Sequence, residues 1–277
     1  MSLSRGLLGV IGVLACPAMA SAADPVVTLP SVPFVPSASG GWTVTVGIGG
    51  EMQPSYEGAS SSKLAPKPII SIRRAGTPER FKSMRDNASF ALIDVGGFRA
   101  GPVGSYKASR KAADYAELRG LRDVDWAVEL GGFAEYYAMD WLRLRAEIRR
   151  GVGGHEGIVA DFAADVIVPI NERMTFAAGP RYRVTDAKYA ETYFSVSSLE
   201  ALASGLPIYD AKGGSGSVGA GAQLRYKLDP QWEVRGYVEY DKLLGSIADS
   251  PLVQLRGSTN QVTYGVGVAY SFDVGVR

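Results

Sequence analysis

QVTYGVGVAYSF, residues 261–272, is the stretch whose reading decides the fold. Its even positions, Val262, Tyr264, Val266, Val268, Tyr270 and Phe272, are all apolar or aromatic. Its odd positions, Gln261, Thr263, Gly265, Gly267, Ala269 and Ser271, are all small or polar. Side chains alternate faces along a strand, so period two makes this a strand with two chemically different faces. It holds no proline and no charge. At about 3.3 Å per residue it reaches across a tilted bilayer span.

Six earlier segments repeat the pattern and add charge to the polar face. Trp126, Val128, Leu130, Ala134 and Tyr136 oppose Glu129, Glu135 and Tyr137. Leu142, Leu144, Ala146 and Ile148 oppose Arg143, Arg145, Glu147 and Arg149. Ile158, Phe162, Val166 and Val168 oppose Asp161 and Asp165, and Phe176, Ala178, Pro180, Tyr182 and Val184 oppose Arg181 and Arg183. Val218, Ala220, Ala222, Leu224, Tyr226 and Leu228 oppose Gln223, Arg225 and Lys227. Trp232, Val234, Val238 and Tyr240 oppose Glu233, Arg235, Glu239 and Asp241. Nearer the N-terminus, residues 42–51, 66–74 and 98–107 read as strands, and 54–65 as a loop. Residues 79–95 are ambiguous, with Phe90 and Leu92 on one face and a turn signal at Asp86-Asn87.

Two architectures produce this alternation. A soluble sandwich or lipocalin-like barrel turns the apolar face inward. An outer-membrane barrel turns it toward lipid and encloses the charges in a lumen. Three features favour the membrane form. The strands are longer than the usual five or six residues of soluble sheets. Trp42, Trp126, Trp141 and Trp232 all lie at strand starts, with tyrosines near other ends, as interface girdles require. Short connections at 139–140, 169–173 and 229–231 alternate with long ones at 111–125, 186–215 and 245–260. The expected fold is therefore all-β, a single antiparallel up-and-down barrel. An even strand number brings both ends of a chain to the periplasm. Twelve strands result if 79–95 holds two, and ten if one N-terminal segment is not a strand.

Composition sets outer bounds. The 277 residues carry 29 Lys+Arg against 28 Asp+Glu, a balance that argues against a nucleic-acid partner held by bulk charge. Mean hydropathy is +0.03. That value suits a soluble protein and equally a barrel whose alternating strands average out. No apolar run is long enough for a membrane-spanning helix. Residues 1–22 read as an export signal: Arg5, an apolar core at 7–15, and Ala20-Ser21-Ala22 as the cleavage site. A competing lipoprotein reading rests on Val13-Leu14-Ala15 before Cys16, but Leu14 is bulky for that site and Pro17 follows the cysteine. Cleavage at Ala22 removes the sole cysteine, so no disulfide is expected. Residues 23–41 read as a Pro/Ser/Val-rich periplasmic linker and 42–277 as the barrel, set in outer-membrane lipid and lipopolysaccharide.

Five short motifs resemble the MipA/OmpV family of outer-membrane proteins, also called MltA-interacting proteins. They are Pro54-Ser55-Tyr56-Glu57-Gly58; Leu118-Arg119-Gly120-Leu121-Arg122-Asp123-Val124-Asp125; Gly153-Gly154-His155-Glu156-Gly157; Gly205-Leu206-Pro207 within a long loop; and Ser250-Pro251-Leu252-Val253 ahead of the closing strand. The family usually ends at its terminal Phe, whereas here residues 273–277 follow Phe272. The resemblance implies a monomeric barrel without catalytic residues or cofactor. It also implies a scaffold role joining a lytic transglycosylase to a murein polymerase; other members are described as adhesins or porin-like proteins.

Candidate chemistry is sparse. His155 is the only histidine, with Asp161 and Asp165 near in sequence. A metal site needs several converging ligands and a hydrolytic triad needs a paired serine, and neither is indicated. The expectation is a non-enzymatic protein with no catalytic, cofactor or metal residues. The inward charges named above are the candidate lumen lining. They form either a conduit whose charges set selectivity or an ion-paired filling of a small barrel. In the long loop, Ser197 before Leu199-Glu200-Ala201 reads as a capped helix ending at Gly205.

Overall fold

The computed structural model describes residues 41–77 and 79–275. The export-signal and linker readings fall almost wholly outside them. Alternation becomes strand throughout: β1 (Gly41–Pro54), β2 (Ser62–Arg74), β3 (Ala88–Ser89), β4 (Ile93–Val95), β5 (Phe98–Lys107), β6 (Ala127–Met139), β7 (Leu142–Gly153), β8 (Ile158–Pro169), β9 (Met174–Thr185), β10 (Gly214–Lys227), β11 (Trp232–Leu243) and β12 (Asn260–Gly275). All neighbours are antiparallel, and β1 pairs with both β2 and β12. The result is a twelve-stranded meander curled into a barrel. Ten strands are long; β3 and β4 occupy the ambiguous 79–95 region and pair only with β5. β2 begins at Ser62 rather than Pro66, because Ser62-Lys63-Leu64-Ala65 pairs with the end of β1.

The sidedness is that of a barrel in lipid. Val266, Leu144 and Phe176 are 58, 44 and 38% exposed, while Arg143 is 0% and Glu239 6% exposed. The small face of residues 261–272 points inward, and its glycines are needed there. A Cβ on Gly265 would lie 2.9 Å from the Tyr237 ring, and one on Gly267 would lie 2.7 Å from Ile69 Cδ1.

One seam is unlike the rest of the wall. β2 and β3 are the two ends of the sheet, and among the described residues no ladder joins β2 to β3, β4 or β5. Ile70 turns its carbonyl away from β1 and accepts from Lys82 Nζ at 3.1 Å. Backbone groups two residues apart point the same way, so Pro66 and Pro68 present their donor-less nitrogens to the seam. Proline at an edge strand removes ladder donors.

The long connections build a cap with an interior of its own. It contains α1 (Ala187–Phe194), α2 (Ser198–Ser204), α3 (Gly245–Ala248) and α4 (Pro251–Arg256). α2 starts with a capping box, in which Ser197 Oγ accepts from the Glu200 amide and the Glu200 carboxylate accepts from the Ser197 amide. It ends at Gly205 in the left-handed region, φ 74°. Tyr189, Phe194, Val253 and Ile247 form one apolar cluster, and Leu118, Val196, Leu206 and Leu252 another. Four of the five family-like motifs place side chains in these clusters: Tyr56, Leu118 and Leu121, Leu206, and Leu252 and Val253. Gly120, φ 83°, passes so close to the backbone of Ala203 that a Cβ there would sit 2.6 Å from it.

Candidate functional site: the lumen

Alternation aims the inward side chains of β5 to β11 at a common axis, and registry sets acids beside bases. Arg143 lies at the centre. Its guanidinium reaches Asp86 at 2.6 Å, Glu135 at 2.8 Å and Asp165 at 2.9 Å. Arg145 bridges Glu135 at 2.9 Å and Glu147 at 2.7 Å, and its guanidinium carbon stands 4.2 Å from the Phe133 ring centroid. Arg149 joins Glu147 at 2.6 Å, Glu129 at 3.0 Å and Asp161 at 2.6 Å. Asp161 passes the network to Arg183 at 2.7 Å, and Asp165 passes it to Arg181 at 2.6 Å. Charge-assisted pairs with several donors per carboxylate are the strong class of polar contact. Removing a single partner leaves its neighbours with fewer compensating charges in a buried site.

The remaining predicted residues are more dispersed. Glu239 approaches Arg181 at 3.5 Å. Arg225 and Lys227 both reach Glu79, at 2.6 and 2.7 Å. Glu233 and Arg235 pair with each other, their one ion pair among the described residues. Asp241 makes no ion pair among the described residues. Arg150, next along β7, breaks the alternation of charge; it is exposed on the apolar side at the long-loop end, where its stem lies along the wall and its head can reach water.

Residues 79–87 are the part that pattern reading missed. They leave the short-turn end of β2 and cross the lumen as a strap. Phe81 O accepts from Tyr137 Oη of β6 at 2.7 Å. The Met84 amide donates to Gln223 Oε1 of β10 at 2.6 Å, and Gln223 Nε2 donates to Lys82 O at 3.1 Å. Arg85 pairs with Glu239 of β11 at 2.9 Å. Asp86 completes the carboxylate set around Arg143, and Asn87 Nδ2 donates to Glu147 at 2.7 Å. Opposite walls are thus tied through one segment. The turn at Asp86 is real, since the Ser83 amide donates to Asp86 Oδ2 at 3.0 Å. Its position inside the barrel left no signal, because a plug has neither period two nor period 3.6. Beside the strap a void of about 10 Å³ remains, near the size of one water. A concavity of about 570 Å³ lies between Phe98, Leu144, Phe162 and Tyr182, and residues Glu135, Arg145 and Arg181 also border it.

Where lumen meets cap, the Lys107 ammonium pairs with Glu57 at 2.9 Å and donates to Tyr189 Oη, which donates to Glu57 at 2.5 Å. Burial alone would raise the Glu57 pKa, but the Lys107 and Arg183 charges and the Tyr189 hydroxyl outweigh it and hold the carboxyl below its usual range. Nearby, burial and then the Glu117 charge push the Tyr56 hydroxyl up to about 12. His155 is buried beneath the cap, edge-on to Tyr189 at 5.1 Å between ring centroids. Its carboxylate neighbour is Glu129, Nε2 to Oε1 3.3 Å. Asp161 and Asp165, the acids near it in sequence, are instead committed to arginines.

Comparison with known proteins agrees with this geometry. A family model described as MltA-interacting protein MipA matches residues 46–272. Outer membrane protein OmpV of Vibrio cholerae serotype O1 is 31% identical over 150 residues, 54% of this chain and 52% of that protein, so the match spans about half the relative's length. Among solved structures, the NanC porin aligns at 12% identity over 83% of this chain and 100% of its own, with TM-score 0.38. OprG from Pseudomonas aeruginosa aligns at 13% identity over 84% of this chain and 97% of its own, with TM-score 0.29.

Proposed function

We propose a function from one premise: the chain belongs to the MltA-interacting protein MipA family of outer-membrane barrels. The barrel serves as a fixed anchor for murein enzymes, a lytic transglycosylase and a murein polymerase, and not as an open conduit or a catalyst. The observation that carries this reading is the strap. Residues 79–87 cross the lumen and tie Arg143 and Glu239 into ion pairs, which narrows the space a solute could use. The family description supports the choice of partner, and the short-turn end, around 140–141, 170–173 and 229–231, is the face turned to the periplasm.

A second reading, a narrow channel for small ionic solutes, draws on the two-sign lining itself. One experiment separates the two. The purified full chain is recorded in planar bilayers, and outer-membrane fractions are crosslinked and probed for co-purifying transglycosylase. The anchor reading expects no conductance steps and a crosslinked murein enzyme. Steps without a crosslinked enzyme overturn it in favour of the channel, and absence of both leaves a surface-contact role for the cap.

A further inference from the structure

The lumen is unevenly balanced along its axis. In its middle the arginines are rich in acids: Arg143 meets Asp86, Glu135 and Asp165, and Arg149 meets Glu129, Glu147 and Asp161. The short-turn end reverses that proportion. There Arg225, Lys227 and Arg235 share only Glu79 and Glu233 among the described residues. Asp229 and Asp273, acids at the same end, accept instead from the Gln231 and Trp232 amides and from Thr43 Oγ1.

Registry brings these cations together. β10 and β11 set Arg225 directly opposite Arg235, and Lys227 opposite Glu233. Directly opposed residues on one face have Cβ atoms about 5 Å apart, and like charges in that position repel. Arg235 is 6% exposed, yet its Nε and that of Arg225 have no acceptor among the described residues. Glu79 bridges two of the cations, at 2.6 Å from Arg225 and 2.7 Å from Lys227. It comes from the strap and not from the wall. The Glu79 and Lys227 side chains are 31 and 37% exposed, against 3% for Arg149 in the middle, so this end is open. Two residues deeper on β10, Gln223 holds the strap backbone at Met84 and Lys82 and gives the opening a floor. With Glu79 turned aside, three cations stand against Glu233 alone, an excess of two charges that one dianion matches.

We propose that this vestibule binds a phosphate dianion, as inorganic phosphate or as the phosphomonoester group of a periplasmic solute, in place of the Glu79 carboxylate. The guanidinium forks of Arg225 and Arg235 suit the oxygens of a phosphate, and Lys227 adds a point charge at the rim. A shared anion turns the repulsion between the opposed arginines into two attractions. A phosphodiester carries one charge and leaves part of the excess unmatched.

The test is calorimetric titration of the full chain in dodecyl maltoside with inorganic phosphate, with glycerol 3-phosphate and with dimethyl phosphate, a monoanionic diester. Inorganic phosphate is expected to bind saturably, and the diester about tenfold more weakly, the scale of one lost charge-assisted contact. Binding of glycerol 3-phosphate as well identifies a phosphomonoester site, and binding of inorganic phosphate without it identifies a site for the free ion. Arg235→Gln is expected to lower phosphate affinity about tenfold. Glu79→Gln, which removes the internal competitor, raises it about threefold, the scale of a partly exposed ion pair. Should Arg235→Gln fail to fold, Lys227→Gln at the exposed rim replaces it, with a loss of about threefold. Lys188→Gln, on the cap, leaves the affinity unchanged. Absence of saturable phosphate binding, equal binding of the diester, an affinity that neither Arg235→Gln nor Lys227→Gln lowers, or a loss in Glu79→Gln overturns the proposal. None of these outcomes depends on murein enzymes or on conductance.

Discussion

The cap and the wall of this barrel bury opposite kinds of residue. In the cap, Tyr189 and Phe194 are 0% exposed, packed as in any water-soluble core. In the wall, Ile48 and Val266 are 66 and 58% exposed while Arg143 is sealed away. One chain thus follows two burial rules, divided where β-strand gives way to loop. The rule is the same physics in two solvents: apolar groups leave water, and in the wall lipid is where they go. What differs is how the polar interior is held. The cap's polar contacts are mostly side chain to backbone, as from Arg110 to Tyr193 O and from Ser250 to Phe194 O, whereas the wall encloses ion pairs whose partners depend on one another.

The largest expected effect tests that dependence. Arg143→Ala removes the central cation from Asp86, Glu135 and Asp165 and leaves Asp86 only Arg145 at 3.8 Å, and a cost of about 3–5 kcal/mol is expected. It is read as a lowered guanidinium midpoint of the refolded barrel, and a change below about 1 kcal/mol would show the lumen to be water-filled and self-screening. The comparison sharpens with paired truncations. Phe194→Ala leaves a cavity and costs about 3–5 kcal/mol, seen as protease access to the cap with the barrel intact. Val266→Ala leaves no cavity, since acyl chains refill the space, and costs about 1–2 kcal/mol. Equal costs would erase the distinction between the two regions. The smallest effect concerns their junction. Because the folded Glu57 carboxyl titrates below its unfolded value of 4.5, its contribution is complete above that pH and is lost as pH falls toward the folded value. Protection of the α1 amides from exchange, corrected for the intrinsic rate at each pH, is expected to fall below pH 4.5 and to be flat above it, and Glu57→Gln removes the step.

Much of the wall was legible because period two survives in sequence. The inward partners of Arg149 and Asp161, and Glu135 and Asp165 beside Arg143, follow from alternation plus the neighbouring strand's alternation. The short α2 helix was legible too, through Ser197, Glu200 and Gly205. What alternation cannot convey is depth. Arg85, Asp86 and Asn87 read as an ordinary polar turn, yet they sit among the barrel's most enclosed charges. His155 read as a loop residue between glycines, and its burial depends on Tyr189, a partner far along the chain. Position along the chain was read correctly in both cases and depth was not, for one cause: the partner strands lie remote in sequence, and pattern along one segment carries no record of them.

The strap has a bearing on assembly. Its partners come from β6, β7, β10 and β11, so it cannot seat until nearly the whole wall has been laid down after it. Until those strands are in place the strap has no partners to hold it across the lumen. Its seating is therefore a late event, set by the last strands of the wall and not by its own early place in the chain.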